Sequence, residues 1–141
     1  MVEVNLVSPG RRVRRPPSAT PSEFWVAVID DDASIRAALS RVFRGSGIRV
    51  EAFGSAEEYL RQARVTQPSC LVLDVQLNGG MDGFEFHDRL VAEGSAPPTI
   101  FITGFDDATT ASRARASGAI GYLRKPFGTD VLLALVRPHL Q

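Results

Sequence analysis

From Phe24 onward, short apolar runs alternate with segments whose apolar residues recur at helical spacing. FWVAVI (24–29), CLVLD (70–74), TIFIT (99–103) and AIGYL (119–123) are nearly continuous apolar runs, the pattern of strands buried on both faces. IRVEAF (48–53) alternates instead, as a half-exposed edge strand does. Between the runs, helices are predicted over 33–43, 55–63, 84–93, 106–117 and 129–140. In the first of these, Ile35, Leu39, Val42 and Phe43 share one face; Asp32 is its N-cap and GSG (45–47) its end. Ser55 and Glu58 stand at capping-box spacing before the second. VQLNGGMDG (75–83) reads as a glycine-rich loop.

Five β–α units in strict alternation imply a parallel sheet covered by helices on both faces. The 141 residues fit one domain, divided here into an ordered part, 23–141, and a disordered basic tail, 1–22. SPGRRVRRPPSATPS (8–22), with four prolines and four arginines, cannot build a core. It leaves residues 1–22 at +3 and the rest at −3, so the chain is neutral overall and carries no strong field toward nucleic acid or membrane. Cys70, a small core residue by its place in a strand, is the only cysteine; with no partner on the chain it suits a reducing cytoplasm. No apolar run approaches the ~20 residues that span a bilayer, and the N-terminus lacks the charged-then-apolar pattern of a secretory signal.

Ligands of open α/β sheets bind outside the carboxyl ends of the strands. There the first run delivers Asp30, Asp31 and Asp32, the third Asp74, the fourth Thr103 and Gly104, and the fifth Lys125 and Pro126. Bare carboxylates at Asp30, Asp31 and Asp74 would repel one another and raise their pKa values. A hard divalent cation resolves this, and Mg²⁺ leaves room for phosphate oxygens. Of sixteen basic residues Lys125 alone is lysine, a compact charge on a flexible stem able to pair with Asp74 or with a phosphate there.

The DDD after the first strand, LVLD at the third, ITG at the fourth and YLRKPF after the fifth resemble the receiver domain of bacterial two-component response regulators, over about residues 23–140. The segment between the last two strands looks most like the nitrogen-fixation-regulator subfamily, whose members usually carry a DNA-binding domain. The resemblance implies a flavodoxin-like (βα)5 three-layer sandwich with a five-stranded parallel sheet in the order 2-1-3-4-5. It implies Asp74 as phosphoacceptor from a histidine kinase or phosphotransfer protein. Asp31, Asp74 and the Gln76 backbone carbonyl would bind Mg²⁺ directly, with Asp30 acting through a coordinated water. Thr103 would donate its hydroxyl to the phosphoryl group and Lys125 would contact a phosphoryl oxygen. Tyr122 would be the aromatic switch that turns inward when Thr103 moves, and Pro126 would hold Lys125 in place through a bond that is often cis in the family. The response would be a shift of the face built by the last strand and the last two helices, which could also support a phosphorylation-dependent homodimer.

The chain departs from the family where a proline usually follows the phosphorylated aspartate by four positions: here it is Asn78, in a loop one residue longer through Gly79-Gly80. Gly104 leaves the phosphate accessible, and Phe105 and Gln76 are placed to tune its lifetime. His87 and His139 read as surface or satisfied histidines, not ligands. A phosphohydrolase of the haloacid-dehalogenase type is the rival class, with Asp30 as nucleophile, Asp32 as general acid and Asp106-Asp107 as a later acidic pair; a second rival is a receiver-like docking module that takes no phosphate. No helix-turn-helix follows the last helix, so the expectation is a single-domain regulator acting on a protein target, or the receiver part of a longer chain, with no direct DNA binding and no membrane association.

Overall fold

The computed structural model describes residues 24–62, 64–105 and 107–141; the expected tail, 1–22, lies outside them. Five strands alternate with five helices: β1 (Trp25–Ile29), α1 (Ala33–Gly45), β2 (Arg49–Phe53), α2 (Ala56–Arg61), β3 (Cys70–Asp74), α3 (Gly83–Ala92), β4 (Thr99–Thr103), α4 (Ala108–Ala116), β5 (Gly121–Arg124) and α5 (Thr129–Val136), closed by a 3₁₀ turn, Arg137–His139. The strands form one parallel sheet in the order β2-β1-β3-β4-β5, which is the expected 2-1-3-4-5.

Side chains alternate across a strand, so each strand feeds two cores. Trp25, Ala27 and Ile29 of β1, with Leu71, Leu73 and Phe101, pack under Tyr59 of α2, Phe84, Phe86 and Leu90 of α3, and Ala114 of α4. Val26 and Val28, with Val72, Ile100 and Ile102, pack under Leu39 and Phe43 of α1 and Leu132 and Val136 of α5. The predicted first helical face therefore holds, with Leu39 and Phe43 buried and Ile35 and Val42 half-buried at its margin. Trp25 is buried, and its indole N–H donates to Thr66 Oγ1 (3.0 Å). Cys70 is fully buried, and burial pushes its thiol up to about 12, so it behaves as a small core residue.

Several expectations are corrected. β5 is not a fully buried strand: it is the second edge of the sheet, half-buried at Gly121–Leu123 and exposed at Arg124. It starts at Gly121 rather than Ala119, because Gly118 (φ +81°) turns the chain out of α4 first. The last helix ends at Val136, and Pro138 sits in the 3₁₀ turn rather than in an α-helix. The reciprocal half of the Ser55/Glu58 box is displaced: Ser55 accepts from the Glu58 N–H, but Glu58 Oε1 accepts from Gly54 N, not from Ser55. A full capping box, unforeseen, stands at Asp82/Glu85. His87 is neither a surface nor a satisfied residue. It is buried edge-on against Phe101, with ring centroids 5.3 Å apart, and its Nδ1 has no hydrogen-bond partner.

Candidate functional site at the carboxyl edge of the sheet

The register that pairs Ile29 with Leu73 carries the next residues, Asp30 and Asp74, to neighbouring strand ends. β1 leads to α1 on one face of the sheet and β3 leads to α3 on the other. The connections diverge there and leave a crevice at the topological switch point. Asp30 is fully buried, Asp74 is 3 % exposed and Asp31 is half-buried. One carboxylate oxygen from each lies within 4.8 Å of the others.

A main-chain N–H holds one oxygen of every carboxylate. Asp32 N donates to Asp30 Oδ1 (2.9 Å), Gln76 N to Asp74 Oδ1 (3.1 Å) and Asn78 N to Asp31 Oδ2 (3.1 Å). Lys125 reaches in from the end of β5. Its Nζ donates to Asp74 Oδ2 at 3.2 Å and forms an ion pair with Asp30 Oδ2 at 2.8 Å. Asp30 Oδ2 is buried with this ion pair beside it and no hydrogen bond among the described residues. The Lys125–Pro126 bond is cis, and Lys125 N donates to Thr103 O (2.7 Å), tying the ends of β4 and β5 together.

Burial, then the charge of Asp30, pushes the Asp74 carboxyl up to about 6; the Gln76 N–H and Lys125 pull it down by less. Burial also pulls the Lys125 ammonium pKa down, but its pairing with the Asp30 and Asp74 carboxylates outweighs that and leaves the pKa above its ordinary value. The ammonium is thus firmly charged, while the Asp74 carboxylate remains under-compensated. An acidic pocket with a buried, undonated carboxylate oxygen and a hard-oxygen donor set fits a small divalent cation.

Thr103 is fully buried at the end of β4, between β3 and β5. Its hydroxyl donates to Phe105 O (2.8 Å) and accepts from Phe105 N (3.0 Å), so it is engaged in its own turn. Phe105 is 56 % exposed at the mouth of the site. A Cβ on Gly104 would meet nothing within 4 Å, so that side stays open. Tyr122 is half-buried beside the Phe101 core. Asp32 is the α1 N-cap, accepting from Ser34 N, Ser34 Oγ and Ile35 N, and those Ser34 bonds hold its carboxyl below the usual range. Such a group is a poor general acid. Asp107 caps α4 in the same way; Asp106 lies outside the described residues.

Three contributors escaped sequence reasoning. Gly83 is buried, and a Cβ there would run into the Asp74 carbonyl, so α3 starts against the backbone of Asp74. The spacing of the glycine-rich loop did not separate this glycine from its neighbours. Arg36 Nη1 donates to Asp30 O (2.8 Å), one turn into α1, from a position that reads as an ordinary exposed arginine. The third is the Asn78 amide, whose only signal was the departure from proline.

A profile described as "Response regulator receiver domain" matches residues 26–137. The chain belongs to the response regulator receiver family. Nodulation protein W of Bradyrhizobium diazoefficiens is 42% identical over 111 residues, covering 79% of this chain and 48% of its own length. Transcriptional regulatory protein FixJ of the same species is 35% identical over 116 residues, covering 82% of this chain and 56% of the relative. Among solved structures, a response regulator receiver protein from Burkholderia phymatum is 41% identical with a TM-score of 0.70, covering 83% of this chain and 94% of that one. The chain spans about half the length of the curated relatives it matches. The receiver family is not a classical enzyme family, and its members bind Mg²⁺ at an acidic pocket of the kind this chain builds from Asp30, Asp31 and Asp74. Among the described residues no helix is long and apolar enough to cross a membrane.

Proposed function

We propose that this chain is a phosphoacceptor in a two-component relay, taking a phosphoryl group on Asp74 from the phosphohistidine of a histidine kinase or phosphotransfer protein. The observation that carries the reading is the meeting of Asp74 and Lys125 at 3.2 Å inside a three-carboxylate cluster at the switch point of the sheet. An Asp74 carboxylate oxygen attacks phosphorus; the new P–O bond forms as the P–N bond breaks, and the electron pair stays on the imidazole nitrogen. Asp30, Asp31, Asp74 and the Gln76 carbonyl are the groups that would hold Mg²⁺, Asp30 through a water. When bound, the ion supplies positive charge against the phosphoryl oxygens. Lys125 contributes a fixed positive charge from the opposite strand. Thr103 then exchanges its bond to Phe105 for one to a phosphoryl oxygen, and Tyr122 turns inward behind it. Pro126 holds Lys125 in register. Open Gly104 and overhanging Phe105 set how readily water removes the phosphate.

The same reading makes the face of α4, β5 and α5 the output surface, for a protein target or a second copy of the chain, in the cytoplasm. Direct DNA binding is not part of the proposal.

Intact-mass spectrometry after incubation with acetyl phosphate and Mg²⁺ tests it on wild type, Asp74→Ala and Asp30→Ala. A labile phosphate adduct that vanishes with Asp74→Ala is expected. No adduct on wild type points to the docking module, and one that persists in Asp74→Ala but tracks Asp30 points to the phosphohydrolase.

A further inference from the structure

The three carboxylates of the site are held in one pattern but by unequal means. Asp30 and Asp74 are each gripped by the N–H two residues ahead, Asp32 N and Gln76 N, within their own loops. Asp31 has its donor 47 positions away, Asn78 N, in the β3–α3 loop. That loop turns sharply just after the contact, through Gly79 (φ +68°) and Gly80 (φ +32°). At Gly80 it passes beside the exposed carboxylate of Glu57, in the first turn of α2. The loop is therefore fastened at Asp31. A proline at 78 could not make the first contact, because it has no N–H.

We infer that the Asn78 main-chain N–H is a positioning group for the divalent cation: it holds one oxygen of Asp31, Oδ2, and so orients the carboxylate that clusters with Asp30 and Asp74. The inference rests on the Mg²⁺ reading above. A carboxylate ligand that accepts a hydrogen bond on its free oxygen is pre-oriented and keeps its charge, and losing such a partner typically costs about 10–100-fold in metal affinity. The Asn78 side chain plays no part, since only the main-chain N–H touches Asp31.

The test is isothermal titration of Mg²⁺ into wild type, Asn78→Ala, which keeps the N–H, and Asn78→Pro, which deletes it, with thermal melts to confirm folding. Asn78→Ala should bind within about twofold of wild type and Asn78→Pro about 10-fold more weakly. A folded Asn78→Pro that binds as wild type does, or an Asn78→Ala that falls equally, overturns the inference while leaving the metal site intact. A wild type that binds no Mg²⁺ overturns both. Should Asn78→Pro fail to fold, amide hydrogen exchange on wild type and Asp31→Ala decides. The Asn78 N–H should exchange slowly with and without Mg²⁺ and be freed in Asp31→Ala. Fast exchange in wild type, or protection lost on adding Mg²⁺, would sink it.

Discussion

Asp74 is asked to be both buried and ionised, and the two demands conflict. Its carboxyl titrates near 6 in the folded chain against 3.8 ordinarily, so between those values the folded state binds the proton more tightly than the unfolded state does. The Asp74 contribution to metal-free stability therefore falls as pH rises from about 4 to 6 and stays low above that, by at most about 3 kcal/mol. Asp74→Asn removes the conflict. In EDTA at pH 7 the variant should unfold at higher urea than wild type, by about 1–3 kcal/mol, and the gain should vanish near pH 4. A variant less stable than wild type at pH 7 would mean that Lys125 more than compensates the carboxylate. The identity of the acidic residues was readable because charge is expensive beside continuous apolar runs. His87 was misjudged although its signal was present: Phe84, His87 and Leu90 stand three residues apart, and all three lie on the buried side of α3. The ring was weighed by its polarity instead of its position. Burial holds its pKa below the ordinary value, so it stays neutral and its contribution to stability declines as pH falls below about 6.5.

The elements that position the site are secured at their first turns. Asp32, Ser55, Asp82 and Asp107 each cap a helix through a side-chain oxygen, which satisfies N–H groups at the edge where the site lies. The caps of α1 and α2 were legible because Asp32 and Ser55 directly precede a helical pattern. The cap of α3 was hidden inside a glycine-rich stretch, where composition reads as loop. Gly83 shows the cost of that ambiguity. It is the first residue of α3, its N–H donates to Val75 O (2.8 Å), and the Asp74 carbonyl occupies the space a side chain would need. No flexible side chain can yield there; the backbone of the acceptor strand must move. Gly83→Ala should cost about 1–3 kcal/mol in urea unfolding and slow phosphorylation of Asp74 by acetyl phosphate. Gly104→Ala, with open space around it, should leave stability within about 0.5 kcal/mol. Equal losses from both would show that close approach is not what distinguishes them.

At the scale of the molecule, strand order and layering were legible because a parallel β–α alternation admits few arrangements once short apolar strands are recognised. What stayed hidden was how unevenly the helices are held. α1, α2, α3 and α5 each bury at least two residues, among them Leu39, Tyr59, Phe86 and Leu132, whereas α4 buries only Ala114. The rest of its attachment is on the surface: the Asp107 cap, an Arg113–Asp88 ion pair at 3.4 Å and the Arg113 guanidinium over the Phe84 ring at 4.8 Å. Exposed contacts of this kind stabilise little, so local opening of α4 should lie well below global unfolding. α4 also follows directly on the turn in which Thr103 and Phe105 bond to each other. A phosphoryl group on Asp74 that captures the Thr103 hydroxyl leaves Phe105 without that partner, and the nearest helix is the one with least to hold it. Native-state hydrogen exchange should therefore find the α4 amides opening ahead of those of β1, β3 and β4, and should find their exchange changed by acetyl phosphate with Mg²⁺ in wild type but not in Thr103→Val. If α4 exchanges only through global unfolding, or responds equally in Thr103→Val, this turn does not couple α4 to the site.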